Sequence, residues 1–299
     1  MSPIRKRWNN GSIFGRNALG PVHNFLCHRG WIVRFSRLCF KRLQLRGRAK
    51  GGLNRVALVP TAVVLLGFIC AFFHLANPMH AIGVFAGIGS SPLSNELVVG
   101  CLFFVAALIL CIVCLTNGTK CAVKKAMLAI TAILGVVFAI FMGMAYMMPT
   151  IPSWNTIASP IQMLGYTFAG GAALAAVILA GRGRETAQEE NRRQIRTVLI
   201  GASLLGLCLA LGGLIAQFAT VASLSNPMVS GLELANGSLT CFIGCIVCLA
   251  VSVTCVVLSV TRFKNNKAIA YCALLFSFAG ILLGRLMFYA LQLSVGPVM

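Results

Sequence analysis

The chain has 299 residues, 59% of them hydrophobic, with 25 Lys and Arg against five acidic residues, a formal net charge of +20. That charge would suit nucleic acid, but its placement excludes the reading: 13 basic residues lie within 1–55, 11 in three short loops, and only Arg285 inside an apolar stretch. Most of the 13 Cys fall within apolar stretches, which excludes a secreted disulfide framework.

Residues 1–55 form a basic N-terminal segment that does not read as folded structure. Arg5, Lys6 and Arg7 could open a signal peptide, but no uninterrupted apolar core of about 7–15 residues follows. The stretch 21–40 has nearly the length of a membrane span, yet it carries Arg29, Arg34 and Arg37. Each Arg near the centre of a span costs about 2.5–3.5 kcal/mol on insertion scales. A basic amphipathic segment lying on the membrane surface is the blander alternative.

From residue 56 onward the pattern changes. Seven apolar stretches, roughly 56–76, 96–115, 126–148, 160–180, 197–223, 239–261 and 268–293, are each long enough to cross a hydrocarbon core of about 30 Å at about 1.5 Å per residue. The expected fold class is therefore an all-α integral membrane protein with seven recognisable transmembrane helices, its anchor domain spanning 56–299. The loops at 116–125, 181–196 and 262–267 are basic; those at 77–95, 149–159 and 224–238 contain no Lys or Arg. Positive charge stays on the cytoplasmic side, which predicts the N-terminus inside and the C-terminus outside. Attraction to anionic lipid is a second expected effect.

An internal repeat runs through these spans. HLANPM at 74–79 and SLSNPM at 223–228 share Leu, Asn, Pro and Met at a constant offset of 149. Both copies sit where a span emerges on the predicted outer face, and both precede a Cys-containing span. This points to two halves in the same orientation. The second half has the span 160–180 ahead of its repeat, so the first should have a helix upstream of residue 56. Residues 1–55 then read as a frame-shifted or eroded remnant of that helix.

The block HLANPMHAIGVFAGIGSSPLSNE (74–96) resembles the membrane-anchor subunit of anaerobic dimethyl sulfoxide reductase, the DmsC family. That family carries a His-Leu-Gly-x-Pro-x-Arg-Ala motif followed by Ser-x-Leu-Ser-Asn-Glu. LGVVF (134–138), PTIPSWNTIASP (149–160), the paired Gly170 and Gly171, and LLGRLMFYALQLSVG (282–296) agree as well, so the resemblance covers 60–299. It departs at Ala76, where Gly is usual, at His80, where Arg is common, and in the unrecognisable first span. The resemblance implies eight spans in two four-helix repeats, in the cytoplasmic (inner) membrane of a prokaryote. It implies an anchor subunit of an oxidoreductase complex that is itself non-catalytic, binds no cofactor or metal, and serves anaerobic electron transport. Menaquinol is the implied substrate. An iron–sulfur ferredoxin-like subunit and a molybdopterin catalytic subunit are the implied partners, with membrane lipid and no nucleic acid.

Oxidising a quinol requires a base for its hydroxyl protons. His74 ends its span on the outer side, and an imidazole titrates near physiological pH. Glu96 opens the next span on the same side. Ionisable residues in or bordering a membrane are costly, so each is a functional candidate. The blander readings are interface anchoring for His74 and a helix N-terminus for Glu96. Arg285 lies inside the last span, about nine residues from its outer end. It is expected either to pair with Glu96 or Glu233 or to join the quinol-binding site with His74 and Glu96. The resemblance strengthens all three, since Gly284, Arg285, Phe288 and Tyr289 match its Gly-Arg-x-x-Phe-Tyr pattern. Trp154 and Tyr146 read as an outer aromatic belt. Cys241, Cys245, Cys248 and Cys255 share one helical face. That face could hold a metal cluster in principle, but small weakly polar side chains at a helix contact are the simpler account. Gly280 and Gly284 read as a small-xxx-small packing surface. Haem is disfavoured because only His74 and His80 are available in the spans. A polytopic secondary transporter is the rival class, which parallel repeats would also suit. Against it, no span is visibly broken in its middle.

Overall fold

A computed structural model describes residues 58–74, 78–116, 119–181, 189–226, 229–262 and 266–294. The expectations for residues 1–55 fall outside the described residues. So do Leu75 and Asn77 of the first repeat copy and Pro227 and Met228 of the second.

The described chain is all-α. It runs α1 (58–74), a 3-10 helix (78–87), α2 (92–115), α3 (121–144), α4 (158–180), α5 (189–222), a short α6 (231–237), α7 (239–261) and α8 (267–290). Six of these, α2, α3, α4, the part of α5 from Arg193 onward, α7 and α8, are long and apolar enough to cross a membrane. The seventh expected span is α1. Its 17 described residues reach about 25 Å at the helical rise, at the lower end of the length a span needs. Large side chains such as Leu66, Phe73, Ile133, Leu275 and Phe278 lie exposed along these helices. A monomer in water does not tolerate so much contiguous apolar surface; lipid is the solvent that fits it. The protein is thus a multi-pass membrane protein.

The helices pack in an order that follows the repeat. The C-terminal ends of α1, α2 and α3 (74, 115 and 144) precede those of α5, α7 and α8 (222, 261 and 290) by 146–148 residues. The 3-10 helix and α6 occupy matching places. In the second half α4 packs on α5, α7 and α8, while α7 also packs on α5 and α8. In the first half α1 packs on α2 and α2 on α3, and α3 then docks on α4.

Small residues set how closely the second-half helices approach. A methyl on Gly165 of α4 would strike the Ala210 backbone of α5, and one on Gly213 of α5 would meet Ala158 O at 2.9 Å. Without a hydrophobic drive between helices in lipid, such backbone contact and the dispersion it allows hold the pair together. Gln162 and Gln217, both fully buried, add a hydrogen bond of 2.6 Å across the same contact, and Gln162 Nε2 also donates to Gly213 O at 3.0 Å. Gly280 of α8 faces Leu249 of α7 closely, which agrees with its packing role.

The described basic residues of the α2–α3 and α7–α8 connections lie at one end. Lys120 precedes α3 and Lys124 and Lys125 lie in its first turn, while Arg262 follows α7 and Lys267 opens α8. Lys124 Nζ donates to the carbonyls of Cys114 and Thr116 at 3.5 and 3.4 Å. It thus covers oxygens that a helix C-terminus leaves without partners. The opposite end carries the described parts of the two repeat copies, with Glu96 and Arg285.

Candidate functional site

At that non-basic end the Ser-Pro-Leu-Ser-Asn-Glu block (91–96) builds its own turn. Gly89 has φ +86°, a conformation that favours glycine. Its N–H donates to Asn95 Oδ1 at 2.7 Å. The N–H groups of Ser90 and Ser91 reach Gly87 O at 3.1 and 2.8 Å. Ser94 is buried, and a methyl on Gly87 would meet its Oγ at 2.7 Å. Pro92 begins the helix, where its missing N–H costs nothing. Ser94 and Asn95 therefore fix the loop, and Glu96 follows as the fifth residue of α2, half-buried. That position lies beyond the first turn, where the helix dipole acts most strongly, so the helix-terminus account of Glu96 loses most of its force.

The loop between α3 and α4 supplies the next layer. Trp154 is buried rather than set in an interfacial belt. It stacks on Phe288 at 5.0 Å between ring centroids, and its Nε1 donates to Phe288 O at 2.9 Å. The apolar ring gains more from the α8 contact than from the interface, because its one donor finds a partner there. Ser153 Oγ accepts from Leu293 N at 2.8 Å, tying the segment after α8 to the same loop.

Arg285 occupies the centre. It lies five residues before the end of α8, closer to that end than the sequence spacing suggests, since α8 stops at Ala290. Its Nη2 donates to Tyr289 Oη at 2.8 Å, and Tyr289 Oη lies 2.8 Å from Tyr146 Oη. The guanidinium carbon sits 4.7, 4.5 and 4.8 Å from the ring centres of Tyr146, Phe288 and Tyr289. Three aromatic faces thus supply part of the stabilisation that water or a carboxylate would otherwise give. Among the described residues no carboxylate makes an ion pair with Arg285, so pairing with Glu96 or Glu233 does not occur here. Glu96 nonetheless lies near enough for the charge of Arg285 to act on it, and both act on Tyr146.

Arg285 Nη1 is buried and makes no hydrogen bond. Tyr166 Oη, also buried, rests against Cys245 without a hydrogen bond of good geometry. Gly284 makes room for both groups: a methyl there would collide with Tyr166 Oη and meet Cys245 Sγ at 3.1 Å. Cys245 is fully buried at this helix contact, as the packing account of the Cys face expects.

Of the three expected site residues, Glu96 and Arg285 come together at one end of the bundle. His74 closes α1, but its side chain lies outside the described residues. Glu233 is exposed on α6. Sequence reasoning misses Tyr146, Tyr289 and Tyr166 as chemistry. Tyr289 is within its reach, because positions four apart share a helix face and Arg285 and Tyr289 are so spaced. Tyr146 lies 143 residues from Tyr289 and gives no such signal.

The profile of the family described as DMSO reductase anchor subunit (DmsC) matches residues 30–291. The chain belongs to the DmsC family. The match begins at residue 30, within the basic N-terminal segment. Among relatives, the YnfH subunit of an anaerobic dimethyl sulfoxide reductase of Escherichia coli is 27% identical over 233 residues, covering 77% of this chain and 79% of the relative. The C subunit of the same organism's anaerobic dimethyl sulfoxide reductase is 28% identical over the same length and shares. The corresponding C subunit from Haemophilus influenzae is 27% identical over 134 residues, covering 44% of this chain and 48% of the relative. No solved structure matches. DmsC membership makes this protein a membrane anchor of a DMSO reductase-type oxidoreductase complex, and none of these relatives is a transporter.

Proposed function

We propose that this DmsC-family anchor oxidises menaquinol at the non-basic end of the bundle and passes the electrons to an iron–sulfur partner. That partner, a ferredoxin-like subunit, docks on the Lys/Arg-free loops and serves a molybdopterin catalytic subunit. The anchor holds no cofactor of its own. It sits in the cytoplasmic membrane of a prokaryote with the basic loops inside and residue 299 outside.

One observation carries this reading: Glu96, an ionisable side chain at a membrane boundary, shares the end of the bundle with the Arg285–Tyr289–Tyr146 group. A carboxylate can accept a hydroxyl proton, and the cation and phenols can hold the oxygen that bears it. His74 ends α1 in the preceding repeat copy and is the second base of the proposed site.

The test is substitution in the assembled complex. His74→Ala or Glu96→Gln should abolish quinol-dependent reduction and preserve reduction by reduced viologen, a soluble donor that feeds the partner subunits directly. Normal quinol oxidation in both variants sinks the assignment. A reporter fused after residue 299 tests the sidedness: cytoplasmic reporter activity there reverses the topology and removes the outer-face site.

A further inference from the structure

The contact between α1 and α2 brings two of the expected site residues to one height. The rings of Phe68 and Phe104 lie 5.4 Å apart, and a methyl on Gly100 would meet the Phe68 ring at 3.2 Å. His74 stands six residues beyond Phe68, and Glu96 stands four before Gly100. The two helices run antiparallel, so these backbone positions differ in height by about two residues, or 3 Å.

Residues 75–91 join those two helix ends, and their described part has an unusual build. Pro78–Gly87 is a 3-10 helix of ten residues. Runs beyond about three or four residues are uncommon, because the bonds are poorer than those of an α-helix. The segment packs mainly on α2. Its end is pinned there: a methyl on Gly87 would meet Ser94 Oγ at 2.7 Å, and Gly89 N donates to Asn95 Oδ1 at 2.7 Å. Ser94 and Asn95 are the two residues before Glu96. Ahead of the pin the segment is open. A methyl on Gly83 would meet nothing within 4 Å, and Phe85 and Ile88 are 43% and 55% exposed.

Residues 78–95 contain no Lys, Arg, Asp or Glu. A segment built to lie on a bilayer carries basic residues along its polar face, and this one has none. An apolar stretch pinned beside Glu96, weakly bonded within itself, has instead the properties of a cover. It can bury a flat apolar ring and keep water from the oxygen at its edge.

We infer that Phe85 and Ile88 are specificity-determining residues of the quinol site, their side chains closing over the face of the quinol ring at the height of His74 and Glu96. The inference rests on the quinol reading given above. Contact with a ring face grows with the apolar area covered, so a two-ring naphthoquinol gains more from it than a one-ring benzoquinol.

The test uses Phe85→Ala and Ile88→Ala in the assembled membrane complex, assayed with a short-chain naphthoquinol, a short-chain benzoquinol and reduced viologen. Phe85→Ala should raise the KM for naphthoquinol about fivefold to tenfold, and Ile88→Ala about threefold. The KM for benzoquinol should rise less, and viologen activity should be unchanged. Phe85→Trp gives a second readout. The matching naphthoquinone should quench its added emission saturably, over the range in which it inhibits quinol oxidation. An unchanged KM in Phe85→Ala overturns the inference, and equal rises for the two quinols overturn the specificity role. A parallel fall of quinol and viologen activities assigns the segment to assembly and also overturns it. Quenching of the added emission by brominated phospholipid, with no response to naphthoquinone, assigns the segment to the bilayer surface, with the same consequence. If Phe85→Ala does not accumulate, Ile88→Ala and the emission of Phe85→Trp decide by the same criteria. His74→Ala and Glu96→Gln separate the two levels. Normal quinol oxidation in both overturns the quinol reading itself. Lost oxidation there with an unchanged KM in Phe85→Ala overturns only the role of the segment.

Discussion

From α4 onward, large side chains are removed from any surroundings but protein: Leu214, Leu249, Val256, Met287 and Phe288 have no exposed area. Among the described residues between α1 and α3, the buried apolar ones are Ala106, Ala107, Cys111 and Ala139, all small. The first half is instead joined at half depth by rings, with Phe68 of α1 against Phe104 and Phe138, and Phe103 against Phe138. Both halves carry the same repeat and the same helix order. Repetition of sequence therefore carried over the order and register of helices, while the close packing was left to whichever residues face each contact. In the second half those residues are glycines and alanines that let backbones meet. The first half borrows this through Gly143, where a methyl would strike Pro160 of α4. The candidate site lies along that seam, with Glu96 from one half and Arg285 from the other.

The comparison can be broken at its strongest point first. Gly165→Val puts two methyls into the Ala210 backbone and should remove most of the folded protein recovered after detergent extraction. Gly67→Val in α1, where nothing lies within 4 Å, should leave the yield unchanged. Equal losses would show that α1 is packed as tightly as α4.

Next in size is Gly284→Ala. Its methyl meets Tyr166 and Cys245, and overpacking of this kind costs about 1–3 kcal/mol. Denaturant titration in micelles should show that loss. The KM for naphthoquinol should rise as well, since the neighbouring Arg285 is displaced. A stable variant with unaltered KM would separate the site from the second-half core.

The buried Gln pair comes third. Gln162→Leu removes the group that donates to both Gln217 and Gly213 and should cost about 1–2 kcal/mol. Gln217→Leu should cost less, because Gln162 keeps its bond to Gly213. The double Leu variant should be more stable than the sum of the singles implies, as no buried amide is then left without its partner. Strict additivity in the same titration would show that the two amides act independently.

The smallest effect belongs to the first half. Lys124→Met removes the donor over the carbonyls of Cys114 and Thr116 and should cost less than about 1 kcal/mol. Added salt should lower the parent protein towards the variant if that contact is electrostatic. Insensitivity to salt would rule that out.

Much of the fold is legible because the signals are local. A run of apolar residues must become a helix in lipid, where an unpaired backbone group has no water to turn to. The boundaries at 239–261 and 158–180 accordingly fall where the apolar runs begin and end, within about two residues. The 34-residue α5 runs eight residues further upstream than its apolar core, since Arg and Glu are good helix formers outside the membrane. The short α6 and the 3-10 helix are not legible; their sequences carry too few turns for periodicity to register. At the site, Glu96 and Arg285 stand out because charge is rare in these spans. Tyr146, Tyr289 and Trp154 do not, because aromatic residues near a membrane boundary are common and have a simpler use there.

By itself the sequence determined that the protein is an all-α, multi-pass membrane protein, the order of its helices, its internal repeat and its family. Each of these follows from hydropathy, charge placement or matched residues read along the chain, and none needs knowledge of which side chains meet. Only the tertiary structure decided that Arg285 is caged by three rings instead of paired with a carboxylate, that Trp154 is buried on α8, and that Tyr146 meets Tyr289 across 143 residues. Those outcomes depend on how closely α3, α4 and α8 approach, and that distance is set by glycines whose missing side chains matter only against the partner they face.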